Sequence, residues 1–135
     1  CAGIPYLPVD IVAAEDCTVM FLNGKTLLNT CDNGCKFHHT LVRNLLGIVA
    51  QNNMYLNQKI KYTSRKTTRE KLMTYLNDQA KMKGSNDFTI PFNRQELADY
   101  LGVERSAMSA ELGKLTKLGI LRTQRSHFTL LKSLD

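Results

Sequence analysis

No apolar run in the 135 residues approaches the roughly 18 needed to cross a membrane. The first residues, Cys1-Ala2-Gly3-Ile4-Pro5, lack the basic and apolar regions of a secretory signal. They also lack a methionine, so the chain is expected to begin inside a longer protein. Cysteine is scarce. Cys1, Cys17, Cys31 and Cys35 all lie near the N-terminal end. That is too few and too clustered to staple the chain, which points to a reducing, cytoplasmic location. There is no Gly-rich phosphate loop, no Ser/His/Asp arrangement and no pair of carboxylates in a plausible pocket. Asp10, Glu15 and Asp16 sit at strand ends, where solvated turns are the default. An enzyme is therefore not expected.

Charge is present, and its distribution matters more than its sum. The net charge is +6. Residues 1–58 hold three basic and four acidic residues, 59–83 hold eight and two, and 84–135 hold seven and six. A basic block beside a compact domain fits a polyanionic partner, although a solvated helix face is the plainer alternative.

Residues 9–22 read as two short strands. Val9, Ile11 and Val12 belong to the first and Cys17-Thr18-Val19-Met20-Phe21-Leu22 to the second, with Asn23-Gly24 as a turn. Two such strands need further partners. A long helix follows over roughly 36–64. Val42, Leu46, Val49, Asn53, Leu56 and Ile60 recur at four-three-four-three-four spacing, a heptad seam with one Asn in it. A second stripe holds Leu41, Leu45, Ile48, Asn52 and Tyr55. A helix with two apolar faces must bury both. One solution packs one face on its own domain and the seam on a second copy; a single broad core stripe in a monomer is the alternative. Residues 67–83 form the next helix, opened by a Thr67/Glu70 capping box, with Leu72, Met73, Leu76 and Ala80 inward. Phe88-Thr89-Ile90 reads as a short strand stopped by Pro91.

The residues that carry chemistry lie in 93–121. Asn93 and Glu96 cap a third helix with Leu97, Ala98 and Leu101 on one face. Gly102 supplies a tight turn. A fourth helix starts at Arg105, with Met108, Leu112 and Leu115 inward. Two short helices crossing at a glycine, with small Ala98 allowing close approach, form a helix-turn-helix, whose second helix enters the major groove. An ordinary αα-corner remains the alternative. After Gly119 the period changes to two. Ile120–Thr123 and Phe128–Leu131 flank the polar tip Gln124-Arg125-Ser126-His127, a winged hairpin.

Roles follow from that arrangement. Arg105, in the first turn of the fourth helix, is placed to reach a guanine edge with its bidentate fork. Ser106 and Ser109 share its exposed face. Arg94, beside Gln95 at the start of the third helix, is placed to clamp backbone phosphate. Arg125 and His127 of the wing, and Lys114, complete the candidate DNA contacts.

The run from Asn93 to Ser109, NRQELADYLGVERSAMS, resembles the helix-turn-helix of the Crp–Fnr regulators, the cyclic-AMP receptor protein family. The resemblance is specific over 93–121 and looser over the rest. It implies a mostly α fold with small β content. Residues 1–34 would hold the last strands of a truncated jelly-roll effector domain, 35–64 the dimerisation helix and 65–135 a winged helix-turn-helix reader. Ser64-Arg65-Lys66 would lie near the hinge. The implied partners are double-stranded DNA, a second copy of the chain and an unidentified small-molecule effector that controls DNA affinity allosterically; no membrane and no cofactor are implied.

Two departures stand out. The family often carries a second arginine a little over one turn after the first, where this chain has Ala110. The Arg-Ser phosphate cassette of the cyclic-nucleotide binders is missing, since Tyr6-Leu7-Pro8-Val9 offers no cation, so cyclic AMP is not the expected effector. The rival readings are a protein-interaction module without DNA, and a redox- or metal-sensing regulator built on Cys31 and Cys35. The latter Cys-x3-Cys spacing, with His38 and His39 close behind, is not a zinc knuckle. A thiol switch stays open, because a helix start favours the thiolate.

A buried Asn in a seam costs stability and fixes register. Asn53→Leu should therefore strengthen self-association while loosening register. Sedimentation equilibrium of both proteins checks this, and monomers in both cases would remove the seam reading.

Overall fold

The structure, a computed structural model, describes residues 10–24 and 35–131. The chain divides into two compact units, Cys1–Asn52 and Asn53–Asp135.

In the first unit, residues 10–23 form no strand. The strand pair expected over 9–22 is thus not formed at its described positions, and Val9 lies outside them. The physical reason is the one that limits any lone hairpin: short strands gain too little without a third strand or a covering layer. Their apolar side chains stand in solvent, Phe21 being 93% exposed. Helix α1 (Lys36–Thr63) then runs through 28 residues. Only Tyr62 of α1 is buried. Leu46, Val49, Leu56 and Ile60 are each more than half exposed in the single chain.

The second unit contains the core. Helix α2 (Thr68–Lys83) opens at Thr67, whose side chain accepts from the Glu70 amide while Glu70 answers the Thr67 amide. Two orphan donors are satisfied at once. It ends at Gly84, which is left-handed at φ 63°. Strand β1 (Asp87–Thr89) precedes helix α3 (Arg94–Leu101), and helix α4 (Arg105–Lys117) follows. The hairpin of β2 (Leu121–Gln124) and β3 (His127–Leu130) closes the unit. The three strands form one antiparallel sheet in the order β1-β3-β2, with Phe88 opposite Phe128 and Thr123 opposite Phe128.

Leu97, Ala98 and Leu101 of α3 and Met108 and Leu115 of α4 are completely buried, together with Leu72 and Leu76 of α2. Ala98 has no side chain beyond Cβ, so α4 can lie close against α3. The end of α1 is fixed by a group of rings. Tyr62 meets Tyr75 edge-on at 5.4 Å and Tyr100 at 6.1 Å, and Tyr100 stacks on Phe92 at 4.9 Å. Such pairs add to the stabilisation from area burial alone. Burial pushes the Tyr62 hydroxyl well above the usual phenol range, and its hydrogen bond to the Asp78 carboxylate pushes the same way. Asp78 also receives the Lys61 ammonium at 2.5 Å.

Gly102 holds φ 60° between α3 and α4. A Cβ there would meet only Thr63 Cγ2 at 3.9 Å, so space is not the constraint; the backbone is. Gly113, inside α4, has open space around it. Gly102→Ala should therefore cost about 1–2 kcal/mol. Gly113→Ala should stabilise by about 0.5–1 kcal/mol through helix propensity. Thermal unfolding of the two variants checks both signs.

Candidate nucleic-acid interface

The cap of α3 sets the first part of the site. The Asn93 side chain accepts from the Gln95 and Glu96 amides, at 2.9 and 3.0 Å, and Glu96 accepts from the Asn93 amide at 2.7 Å. This leaves Arg94 and Gln95 in the first turn. Gln95 is exposed and donates to Asp99 at 2.9 Å.

Arg94 is held by the wing. Its guanidinium donates to Thr123 Oγ1 at 2.6 Å and lies over the Phe128 ring at 4.9 Å. It is half-buried, and burial lowers its pKa. The phosphate clamp expected of Arg94 is thus first a tie between α3 and the hairpin. Thr123 and Phe128 lie about thirty residues downstream, and no local pattern announces that contact.

Helix α4 carries the next group of candidate residues. Arg105, Ser106 and Ser109 are exposed. Arg105, Ser106, Ser109 and Gln95 line one shallow depression with Asp99, Val103 and Glu104. Arg105 and Gln95 also line a second depression with Asn93, Arg94, Arg125 and Ser126. Arg105 and Gln95 are the residues common to the two, and five cationic or amide side chains, Asn93, Arg94, Gln95, Arg105 and Arg125, line the second. Gln95 proves more central than its place beside Arg94 suggests. Lys114 lies further along α4 and pairs with Glu111 at 3.4 Å, while Arg69 of α2 approaches the same Glu111 at 3.9 Å.

Glu104 was invisible to the sequence reading, because Glu is not among the preferred N-caps. It caps α4 with one carboxylate oxygen, which accepts from the Ser106 amide at 2.7 Å, the Ala107 amide at 3.1 Å and the Ser106 hydroxyl. The Ser106 hydroxyl bond, followed by the two amides, holds the carboxyl below its usual value.

The wing tip is tighter than the four-residue segment read from sequence. The turn is Arg125-Ser126 alone, and Gln124 and His127 belong to strands. His127 is therefore not at the tip. Its Nε2 meets Asp87 at 2.5 Å and its Nδ1 meets Thr89 Oγ1 at 3.1 Å, so β1 engages both ring nitrogens. Arg125 does occupy the tip, at φ 52°. That left-handed conformation favours glycine, so the turn carries a backbone cost at Arg125.

Among the described residues, no group of three His, Cys, Asp or Glu side chains could hold a metal ion, and Cys31 lies outside them. No helix among them is long and apolar enough to cross a membrane. The positions expected to form a seam, Val42, Leu46, Val49, Asn53, Leu56 and Ile60, follow one another along α1, and the Asn53 side-chain oxygen accepts from Asn57.

Arg125→Gly should relieve the tip by about 1 kcal/mol and weaken duplex binding at the same time. Thermal unfolding and a fluorescence anisotropy titration read the two effects separately. Stabilisation without loss of binding would make Arg125 plain surface.

No curated protein sequence matches the chain. Among solved structures, FixK2 from Bradyrhizobium japonicum superposes with a TM-score of 0.57 at 23% identity, over 69% of this chain and 48% of that one. A transcriptional regulator of the Crp/Fnr family from Eubacterium rectale aligns over 74% of this chain and 44% of its own, at 17% identity and a TM-score of 0.48. The chain spans about half the length of these structures. Residues 70–133 match the model of the Crp-like helix-turn-helix domain, which covers α2, the α3–α4 pair and the wing. Over residues 70–133 the chain therefore carries a Crp-like helix-turn-helix domain.

Proposed function

We propose that the chain is the DNA-reading part of a transcription regulator that binds double-stranded DNA as a homodimer. The observation that carries this reading is the convergence of Gln95, Arg105 and Arg125, from two helices and a wing, on one exposed concave face. A helix-turn-helix places the N-terminal residues of its second helix against base edges. Arg105 stands there, exposed, in the first turn of α4. Its planar fork can take guanine O6 and N7 together. Gln95 can do the same for adenine N6 and N7, or hold a phosphate. Arg125 meets the backbone from the wing tip. Ser106 and Ser109 add short-range polar contacts, and Lys114 adds a phosphate contact at the far end of α4. His127 and Arg94 act mainly by holding the sheet and wing in place.

The apolar seam of α1 is the proposed dimer contact. Its exposure in the single chain is what supports the reading, since a heptad stripe of this kind is normally covered. Two readers related by a twofold axis would meet half-sites about one helical turn apart. A small-molecule effector, bound by a domain of which residues 1–34 hold the last part, would set the pair's geometry and hence DNA affinity. Cyclic AMP is not the proposed effector.

Arg105→Ala should cost about 1–3 kcal/mol on the preferred duplex and relax one base preference, with little effect on random DNA. Competition titrations over a salt series check this. Equal losses on both duplexes would make Arg105 a phosphate contact, and the absence of any salt-dependent binding would overturn the DNA reading.

A further inference from the structure

The N-terminus of a helix that approaches DNA is a natural seat for a backbone phosphate, because its free amides and its dipole both favour an anion. In this chain the seat on α4 is already taken. One oxygen of Glu104 accepts from the Ser106 and Ala107 amides and from the Ser106 hydroxyl. The carboxylate is exposed and lines the same depression as Arg105, Ser106, Ser109 and Gln95. Asp99 lines it too, so two acids face the surface assigned to DNA. This arrangement conflicts with simple phosphate attraction and calls for an account of its own.

We infer that Glu104 is a specificity-determining residue that works by rejection, disfavouring complexes in which α4 rests on the phosphate backbone. The inference rests on the proposed reading of α4 as the base-reading helix. Non-specific binding is supplied by phosphate contacts. A fixed negative charge at the tip of α4 penalises each such complex whatever its sequence. In a docked complex the helix tip instead faces base edges in the major groove, where cytosine and adenine present amino donors and no phosphate. The penalty therefore falls more heavily on random DNA than on the preferred site, and discrimination rises through a repulsion rather than through an added contact. Glu104 is exposed, and a solvated glutamate is ionised at neutral pH, so the charge is in place there.

The test uses the whole chain with Glu104 intact, as Glu104→Gln and as Glu104→Ser. Ser is itself a preferred cap, so it removes the charge while keeping α4 closed at its start; thermal unfolding verifies that. Two probes are titrated: a short duplex of random sequence, and a duplex enriched by the wild-type protein from a randomised pool. Both variants should bind the random duplex roughly three- to tenfold more tightly at low salt, converging with wild type as salt rises. Affinity for the enriched duplex should change by less than about twofold, so the specificity ratio falls. An equal gain on both probes, or no gain on the random one, overturns the inference while leaving the DNA reading intact. A loss on the enriched duplex alone also overturns it, making Glu104 a direct acceptor from a base amino group. If the wild-type protein binds neither probe, the DNA reading fails and takes the inference with it.

Discussion

At Gly102 the backbone turns through the left-handed region, and the geometry of the reader depends on that turn. The Gly102 amide donates toward the Ala98 and Asp99 carbonyls, and the Val103 amide donates to Ala98. The Lys71 ammonium of α2 accepts no freedom either, since it donates to the Gly102 carbonyl at 3.2 Å. The turn is thus closed from inside by its own amides and from outside by α2. With α3 ended there, Val103 can pack on the core and α4 can begin two residues later, its apolar face on Met108, Leu112 and Leu115. Arg105 reaches solvent because it stands in the first turn of α4, ahead of the residues that pack on the core.

Helix α1 is treated very differently at its two ends. Its last turn belongs to the reader through Tyr62, which is buried among Tyr75 and Tyr100 and bonded to Asp78. Earlier positions of the seam are exposed. The ring group therefore holds the last part of a long helix, through Tyr62 and through Tyr55, which meets Tyr100 at 6.0 Å. The charged residues around it are largely engaged as well, with Lys61 on Asp78 and Lys59 over the Tyr100 ring. A good part of the basic block at 59–83 is accordingly structural rather than open to an anion.

Those parts of the molecule governed by local rules were legible in the sequence. The Thr67/Glu70 and Asn93/Glu96 boxes start α2 and α3 because each satisfies backbone amides within four residues. Gly102 ends α3 for a reason visible in one residue. The change from helical to alternating period marks the hairpin. What failed to show were partners distant in sequence: Thr123 and Phe128 for Arg94, and Asp87 for His127. Glu104 did not show for a different reason, since glutamate is not among the residues preferred at a helix N-cap. Strands over 9–22 were read from β-branched and apolar residues, whose preference for extended structure needs neighbours to take effect.

Strand β1 stands before the helix pair and pairs with β3, the last strand, from Asp87 opposite Thr129 to Thr89 opposite His127. The sheet therefore laces together the two ends of the segment that contains α3 and α4. Closing that loop has an entropic cost which must be met before the pairing is rewarded. The β1–β3 pairing thus ties together strands separated by the whole α3–α4 segment, while β2 holds β3 from its other side. A reader built this way is a single cooperative piece, even though the surface it shows to a partner comes from three separate elements.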